Sequence, residues 1–280
     1  MHWQTRRFRI ALNRPQVMGI VNVTPDSFSD GGRHDDTRGA IAHCERLLAE
    51  GADILDIGGE STRPNAPQVD AATEWARIEA VLAAAVTLGV PVSVDTYKPE
   101  VMRRALDAGA DIINDVQALQ MPGALAAVSG SGAGVCLMHM RGAPASMMDL
   151  AVYGDVVTEV GAFLALRAQV ARDSGLPADT IVLDPGYGFA KTAEHNLQLL
   201  AGQQRLAALG YPLLVGWSRK RTLGDITGRP VEQRLAAGLA AALRAVSAGA
   251  NVIRVHDVAA TVDALKVWTA VDAAKIAPTA

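Results

Sequence analysis

Residues 91–116 read PVSVDTYKPEVMRRALDAGADIINDV. A short apolar run ending near Asp95 passes through a longer stretch of helical character into a second apolar run that carries Asn114 and Asp115. Short runs rich in Val and Ile, bounded by turn signals, are the mark of strands buried on both faces. Two such runs joined by a helical crossover make a parallel strand–helix unit. The same unit recurs in both directions along the chain. Apolar runs stand at 16–22 (QVMGIVN), 53–58 (DILDIG), 134–140 (GVCLMHM), 180–185 (TIVLDP), 211–217 (YPLLVGW) and 251–257 (NVIRVHD). Amphipathic segments separate them: Ile41, Cys44 and Leu48 keep helical spacing in 36–50, as do Leu235, Leu239, Leu243 and Val246 in 234–246.

Eight such units predict an α/β fold, a (β/α)8 TIM barrel, whose usual size is about 250 residues. The rival is an open, doubly wound sheet. It is disfavoured because no Gly-x-Gly-x-x-Gly turn follows the first strand. In addition, all eight runs end in polar or Gly residues, and only a closed barrel brings every strand end to one mouth. Phe8, Ile10 and Leu12 alternate ahead of the first run and predict a short N-terminal β-hairpin plugging the opposite end. No linker rich in Pro, Gly or Ser divides the chain, so residues 1–280 are expected to form one domain.

Bulk composition narrows the function. Half of the 280 residues are hydrophobic and the formal net charge is −3 with both signs interspersed, so no polybasic surface for nucleic acid or membrane is expected. Cys44 and Cys136 are the only cysteines and lie far apart, which argues against a disulfide framework or thiolate metal site and for a reducing compartment. With neither a signal-peptide pattern nor a membrane-span window, a soluble cytoplasmic protein is expected.

The strand ends carry Asn22, Asp56, Asp95, Asn114 with Asp115, His139, Asp184, Ser218 with Arg219 and Lys220, and Arg254 with His256. Singly, each has an ordinary explanation: an Asp at a strand–helix junction caps a helix, an Asn serves a turn, and a lone His is a satisfied structural residue. Gathered on one rim, so many polar groups would be costly to bury without a ligand. Asp95, Asn114 and Asp184 suit a flat ring bearing N–H and NH2 donors. Lys220, Arg219, Arg254, His256 and Arg63 suit anionic oxygen, and the loops after the last barrel strands are a common phosphate site. Asn22 offers one oxygen to a magnesium ion riding on phosphate.

Two long loops, VTPDSFSDGGRHDD (23–36) and GGESTRPNAPQVD (58–70), mix Gly and Pro with Ser, Thr and charge, as functional lids do. Phe28 is an aromatic side chain in the first of them, among Thr, Pro, Asp, Ser and Gly residues that cannot bury it.

These motifs closely resemble those of bacterial dihydropteroate synthases. MGIVNVTPDSFSDGG (18–32) and DIGGESTRP (56–64) look like the family's two signature stretches. SVDTYKPEV (93–101), INDV (113–116), LMHMRGAP (137–144), LDPGYGFAK (183–191), GWSRKRTLG (216–224) and RVHDV (254–258) continue the likeness in the family's order. The family's fold is a TIM barrel. The resemblance implies transfer from (7,8-dihydropterin-6-yl)methyl diphosphate to 4-aminobenzoate, giving 7,8-dihydropteroate and diphosphate in folate synthesis. It implies Mg2+ as cofactor, held near Asn22 and Asp26, small-molecule substrates, a homodimer through the outer helices, and sensitivity to sulfonamides, which mimic 4-aminobenzoate.

By position, the resemblance implies that Asp95, Asn114, Met138, Asp184, Lys220 and Arg254 hold the pterin. Asn22, Thr62, Arg63, Arg254 and His256 would gather the diphosphate. Phe28, Thr62, Pro64, Phe189 and Ser218 would frame 4-aminobenzoate. Catalysis would fall to Asp95, Lys220, Arg254 and His256. An electron-rich reduced pterin can delocalise the cation left by departing diphosphate, so the implied path is SN1-like. His256 is then an anion ligand rather than a general base. Tyr187 stands where many relatives have Phe, Trp217 is a large residue expected at the pocket rim, and residues 225–234 carry no role beyond loop and helix start. Three rivals remain: a methyltetrahydrofolate methyltransferase barrel, which would not need the SRK, RVH and STRP features; a pterin-binding protein without catalysis, which would carry damaged loops or anion ligands; and a structural barrel.

Overall fold

The structure, a computed structural model, describes residues 1–24, 33–61, 66–143 and 146–274, and of residues 33–36 the backbone alone. The N-terminal hairpin pairs β1 (His2–Gln4) with β2 (Arg9–Ala11). Then follow β3 (Gln16–Asn22), α1 (Arg33–Ala49), β4 (Ile54–Gly58), α2 (Ala71–Val86), β5 (Val92–Asp95), α3 (Pro99–Asp107) and β6 (Ile112–Asp115). The second half runs α4 (Ala124–Val128), β7 (Gly134–Met138), α5 (Val156–Asp173), β8 (Ile181–Asp184), α6 (Ala193–Ala201), α7 (Gln203–Ala207), β9 (Leu213–Val215), α8 (Arg221–Thr227), α9 (Leu235–Ser247), β10 (Ala250–Val255) and α10 (Val258–Ala273). Strands β3 to β10 close into one parallel barrel in sequence order, β10 pairing with β3. Each lies within, or one residue beyond, an apolar run of the sequence.

Helix starts follow from local chemistry. Asp70 caps α2 by accepting from the Thr73 N–H at 2.7 Å, and Pro99 opens α3, where a missing N–H costs nothing. Thr192 and His195 form a reciprocal capping box on α6.

Strand alternation separates two cores. Leu55, Ile57, Ile113, Val135, Leu137, Ile181, Leu183 and Ile253 point outward and pack under the helices. Met18, Ile54, Ile112, Cys136, Val182, Leu214 and Val252 point inward and fill the lower barrel. Two residues further along each strand, the inward positions become Asp56, Asn114, Met138, Asp184 and Arg254. The period of the pleat therefore lifts the polar groups into one layer above an apolar floor.

The hairpin seals the opposite end, as the alternation of Ile10 and Leu12 predicts. Trp3 is fully buried against Ile10, Leu12 and the floor, and its Nε1–H donates to the Thr180 carbonyl at 2.9 Å. A Cβ on Gly134 would lie 2.7 Å from that nitrogen, so the start of β7 must be glycine for the indole to fit. Arg7 binds both oxygens of the buried Asp111 at 2.9 and 2.6 Å, tying the hairpin to the start of β6.

The apolar stripe of α9 behaves differently from a simple amphipathic face. Leu235 is 45% exposed, and Leu239, Leu243 and Val246 are half-buried, while the buried residues are Ala242 and Ala245. Small side chains let the helix lie close on the barrel, which pushes the larger ones to its flanks. Cys44 and Cys136 are buried free thiols, as expected. Among the described residues no helix is long and apolar enough to cross a membrane.

Candidate functional site

The polar layer is organised by Arg254. From β10 its Nε donates to Asp56 Oδ2 at 2.6 Å, and its Nη2 donates to Asp95 Oδ2 at 2.7 Å. Asp56 has no solvent exposure, and Asn114 Nδ2 lies 3.3 and 3.4 Å from its oxygens. The strand register sets Asn114 beside Asp95 and Asp184 beside Met138. Burial pushes the Asp95 carboxyl above the usual range; Arg254 pulls the other way and Asp56 adds to the rise. Asp95 Oδ1 is buried without a hydrogen-bond partner among the described residues. An acceptor of this kind is costly unless something donates to it.

Across the mouth, Asp184 Oδ1 accepts from the Gly186 N–H at 2.7 Å. Burial pushes its carboxyl up to about 6, opposed by that N–H and by Lys220. The Lys220 ammonium stands 4.3 Å from the centre of the Phe189 ring. Burial brings it down to about 8, with Asp184 working against the fall.

Ser218, Arg219 and Lys220 sit in a tight turn after β9, where Arg219 takes a left-handed φ of 61°. Ser218 Oγ is 3.0 Å from His256 Nδ1 and accepts from the His256 N–H at 3.2 Å, joining the last two strand ends. His256 is lowered to about 3, by burial first and then by Arg219 and Arg254. It is therefore neutral at pH 7, a hydrogen-bonding imidazole rather than the cation its place among the rim charges suggested. Arg219 is paired with Asp257 at 2.8 Å.

Residues 225–234, silent in sequence, support this turn. Arg234 Nε donates to the Arg229 carbonyl at 3.0 Å and Nη1 reaches the Arg219 carbonyl at 3.4 Å. A Cβ on Gly224 would lie 2.3 Å from Arg234 Nη2, so a larger residue there would displace the guanidinium. Trp217 is not on the rim. It is 2% exposed, with its ring 4.6 Å from that of Tyr187 and tilted by 37°, in the layer between barrel and helices, because alternation turns it outward when Gly216 faces in. Tyr187 uses the hydroxyl that Phe would lack to donate to Gln203 Oε1 at 2.9 Å.

Two strand-end residues are structural. Asp115 accepts from the Gln117 and Leu119 N–H groups at 2.7 and 2.8 Å. His139 is 2% exposed and bonds to Lys191 at 2.9 Å. Asn22 is half-buried at the end of β3, in register with Gly58. Asp26, Phe28, Thr62, Arg63 and Pro64 lie outside the described residues. Just before the second of those segments, Glu60 binds Lys98 and accepts from the Tyr97 hydroxyl at 3.1 Å, and Lys98 also binds Glu74. Sequence reading missed this group and left Asp56 without a role. Both join segments separated in sequence, for which one chain offers no local signal.

The result is a basin with buried acceptors and a neutralised arginine at its base, and a lysine at its edge. A flat ring with several N–H donors suits the base, and an anion suits the edge.

Comparisons with known proteins agree with this geometry. The family model for pterin binding enzymes matches residues 18–256. A dihydropteroate synthase of Neisseria meningitidis serogroup B is 50% identical over 275 residues, covering 96% of each chain. The solved Xanthomonas albilineans dihydropteroate synthase with 4-aminobenzoic acid superposes with a TM-score of 0.93 at 52% identity, over 98% of this chain and 100% of that one. The same organism's enzyme in complex with 7,8-dihydropteroate gives 0.90 at 49% identity, again over 98% and 100%. With a closed parallel barrel, a polar layer at its mouth and relatives of this closeness along nearly its whole length, the chain belongs to the bacterial dihydropteroate synthases, transferases of the pterin binding enzyme family.

Proposed function

We propose that this chain joins (7,8-dihydropterin-6-yl)methyl diphosphate to 4-aminobenzoate, releasing diphosphate and forming 7,8-dihydropteroate, a step of folate synthesis. The observation that carries the reading is the buried basin in which Arg254 spans Asp56 and Asp95 while Asp95 Oδ1 has no partner among the described residues. Asp95, Asn114 and Asp184 accept from the pterin's ring N–H and amino groups, Met138 packs against the ring, and Arg254 stacks beside it. Lys220, Arg254, His256 and Asn22, with Thr62 and Arg63, hold the diphosphate. Phe189, Ser218, Phe28, Thr62 and Pro64 frame the amine, which X. albilineans dihydropteroate synthase also binds.

The path is SN1-like. The bond from the methylene carbon to diphosphate oxygen breaks first, its electron pair leaving with diphosphate, and the dihydropterin delocalises the positive charge. Asp95 lies beside that charge as a buried carboxylate whose field water does not screen. The amine lone pair then forms the C–N bond, and the nitrogen loses its proton afterwards. No side chain need act as a strong base, and a neutral His256 fits that absence.

Magnesium fits as a companion of the substrate. No group of three or more His, Cys, Asp or Glu among the described residues could hold a metal, so a Mg2+ carried by diphosphate and water, with Asn22 and Asp26 as ligands, suits the donor set. When bound, it would offset the charge of the leaving diphosphate. Buried free thiols fit a reducing cytoplasm, and the exposed apolar residues of α9 and α10 (Leu235, Val267 and Val271) fit a homodimer through these helices.

The test is diphosphate release by the purified protein with both substrates. Turnover should need the pterin diphosphate and 4-aminobenzoate, vanish with chelator and return with Mg2+. Failure to form dihydropteroate under those conditions overturns the reading.

A further inference from the structure

The loop after β8 is strained in a way the reaction does not explain. Between Asp184 and Thr192, Gly186, Gly188 and Ala190 all have left-handed backbones, with φ of 69, 79 and 49°. For Ala190 this conformation is unfavourable, and it persists only where the surroundings impose it. The loop also presses on β7: a Cβ on Gly186 would lie 2.0 Å from the His139 carbonyl oxygen.

At the centre of this loop is Lys191, 2% exposed. Its Nζ lies 2.9 Å from His139 Nδ1 and donates to the Gly186 and Phe189 carbonyls, each at 3.0 Å. Three close acceptors, with the His139 carbonyl at 3.5 Å as a fourth, thus surround one side-chain nitrogen. Burial and the nearby cations Lys220 and Arg141 lower its pKa, with Asp184 opposing. Such a group is expensive to keep inside, and a leucine would fill similar space without that penalty.

We infer that Lys191 is a positioning residue: through the Gly186 and Phe189 carbonyls it holds the strained loop so that the Phe189 ring lies under the Lys220 ammonium and forms a fixed wall for the aromatic amine. The link is direct. Gly186 receives Lys191 on its carbonyl, while its N–H donates to the carboxylate of Asp184. Phe189 receives Lys191 on its carbonyl, and its ring carries the Lys220 contact. The Tyr153 hydroxyl adds a third tie by donating to the Ala190 carbonyl at 3.0 Å. The consequence for turnover rests on the proposed place of Phe189 beside 4-aminobenzoate; the positioning itself does not.

Two readouts separate these parts. Protein labelled with 4-fluorophenylalanine should show four fluorine resonances, one per phenylalanine, with Phe189 assigned from Phe189→Leu. In Lys191→Met the Phe189 resonance should shift or split while that of Phe8, in the distant hairpin, stays. In steady-state kinetics Lys191→Met should raise the KM for 4-aminobenzoate about tenfold, with kcat and the KM for the pterin substrate changing less than about threefold. Loss of some folded protein would lower kcat in proportion and leave both KM values alone. Should Lys191→Met fail to fold, His139→Leu removes one of the three close acceptors and should move the same resonance and KM in the same direction, by about threefold. An unmoved Phe189 resonance, or an unmoved 4-aminobenzoate KM where Phe189→Leu raises it, overturns the role of Lys191. If Phe189→Leu leaves that KM unchanged while Lys191→Met still moves the resonance, the positioning stands and the assignment of Phe189 to the amine falls.

Discussion

Arg254 and Asp56, 198 residues apart in sequence, meet at 2.6 Å at the base of the polar basin. The arginine has a second carboxylate partner in Asp95, so two buried acids share one guanidinium. Its own pKa is accordingly raised, the two carboxylates outweighing the cost of burial.

Removing that guanidinium should be costly and pH-dependent. Arg254→Met strands two buried carboxylates, a loss of about 3–5 kcal/mol for a broken buried pair. Acids without a partner in the fold have pKa values above their unfolded ones, so they bind protons more tightly when folded. The stability they contribute is present at low pH and is lost as pH rises through the folded values. The deficit relative to the parent should therefore be larger at pH 8 than at pH 5. Urea melts at the two pH values measure it, and equal deficits would show the acids to be solvated.

Turnover should have two pH limbs. Asp184, raised to about 6, must be ionised to accept from a ring N–H, and Lys220, lowered to about 8, must be protonated to meet an anion. Asp95, raised to about 7, must also be ionised to act on the developing cation, so kcat/KM for the pterin substrate should fall as pH drops below about 7 and again as it rises above about 8. Lys220→Arg should move the alkaline limb upward and leave the acid limb in place, because arginine stays charged throughout. A profile flat between pH 5 and 9 would contradict both assignments.

Charge at Asp95 should matter for bond breaking more than for binding. Asp95→Asn keeps a hydrogen-bonding group but removes the anion beside the developing cation. We expect kcat to fall by roughly 100-fold, in the range of one lost electrostatic contact, with substrate affinity changing far less. Positional exchange of 18O at the bridging oxygen, followed without 4-aminobenzoate, reports cation formation directly. The parent should scramble the label and Asp95→Asn should do so much more slowly; no scrambling in the parent would favour concerted displacement.

The hairpin plug should contribute to stability and not to chemistry. Trp3→Ala removes a fully buried indole and its hydrogen bond to Thr180, so a loss of about 3–5 kcal/mol is expected. Chemical denaturation measures this, while kcat per folded molecule should stay at the parental value.

The amino-acid sequence by itself determined the barrel. A strand enclosed on both sides must be apolar on both faces, so each barrel strand stands out as a short Val- and Ile-rich run, and the polar residues at the run ends mark the mouth. Asp95, Asn114, Asp184, Lys220 and Arg254 were legible on those grounds before any contact was known. Phe28 was legible as an oddity, and it lies outside the described residues. Only the tertiary structure decided which polar groups work together. Asp56 became the partner of Arg254 because barrel closure brings β10 beside β3 and within reach of β4. His139 was withdrawn from the site by Lys191, and Trp217 from the rim by the turn of the pleat. His256 was made neutral by burial among arginines. Periodicity is a local property that a chain records along its length. Pairing and charge state depend on distances between segments remote in sequence, and those exist only once the barrel has closed.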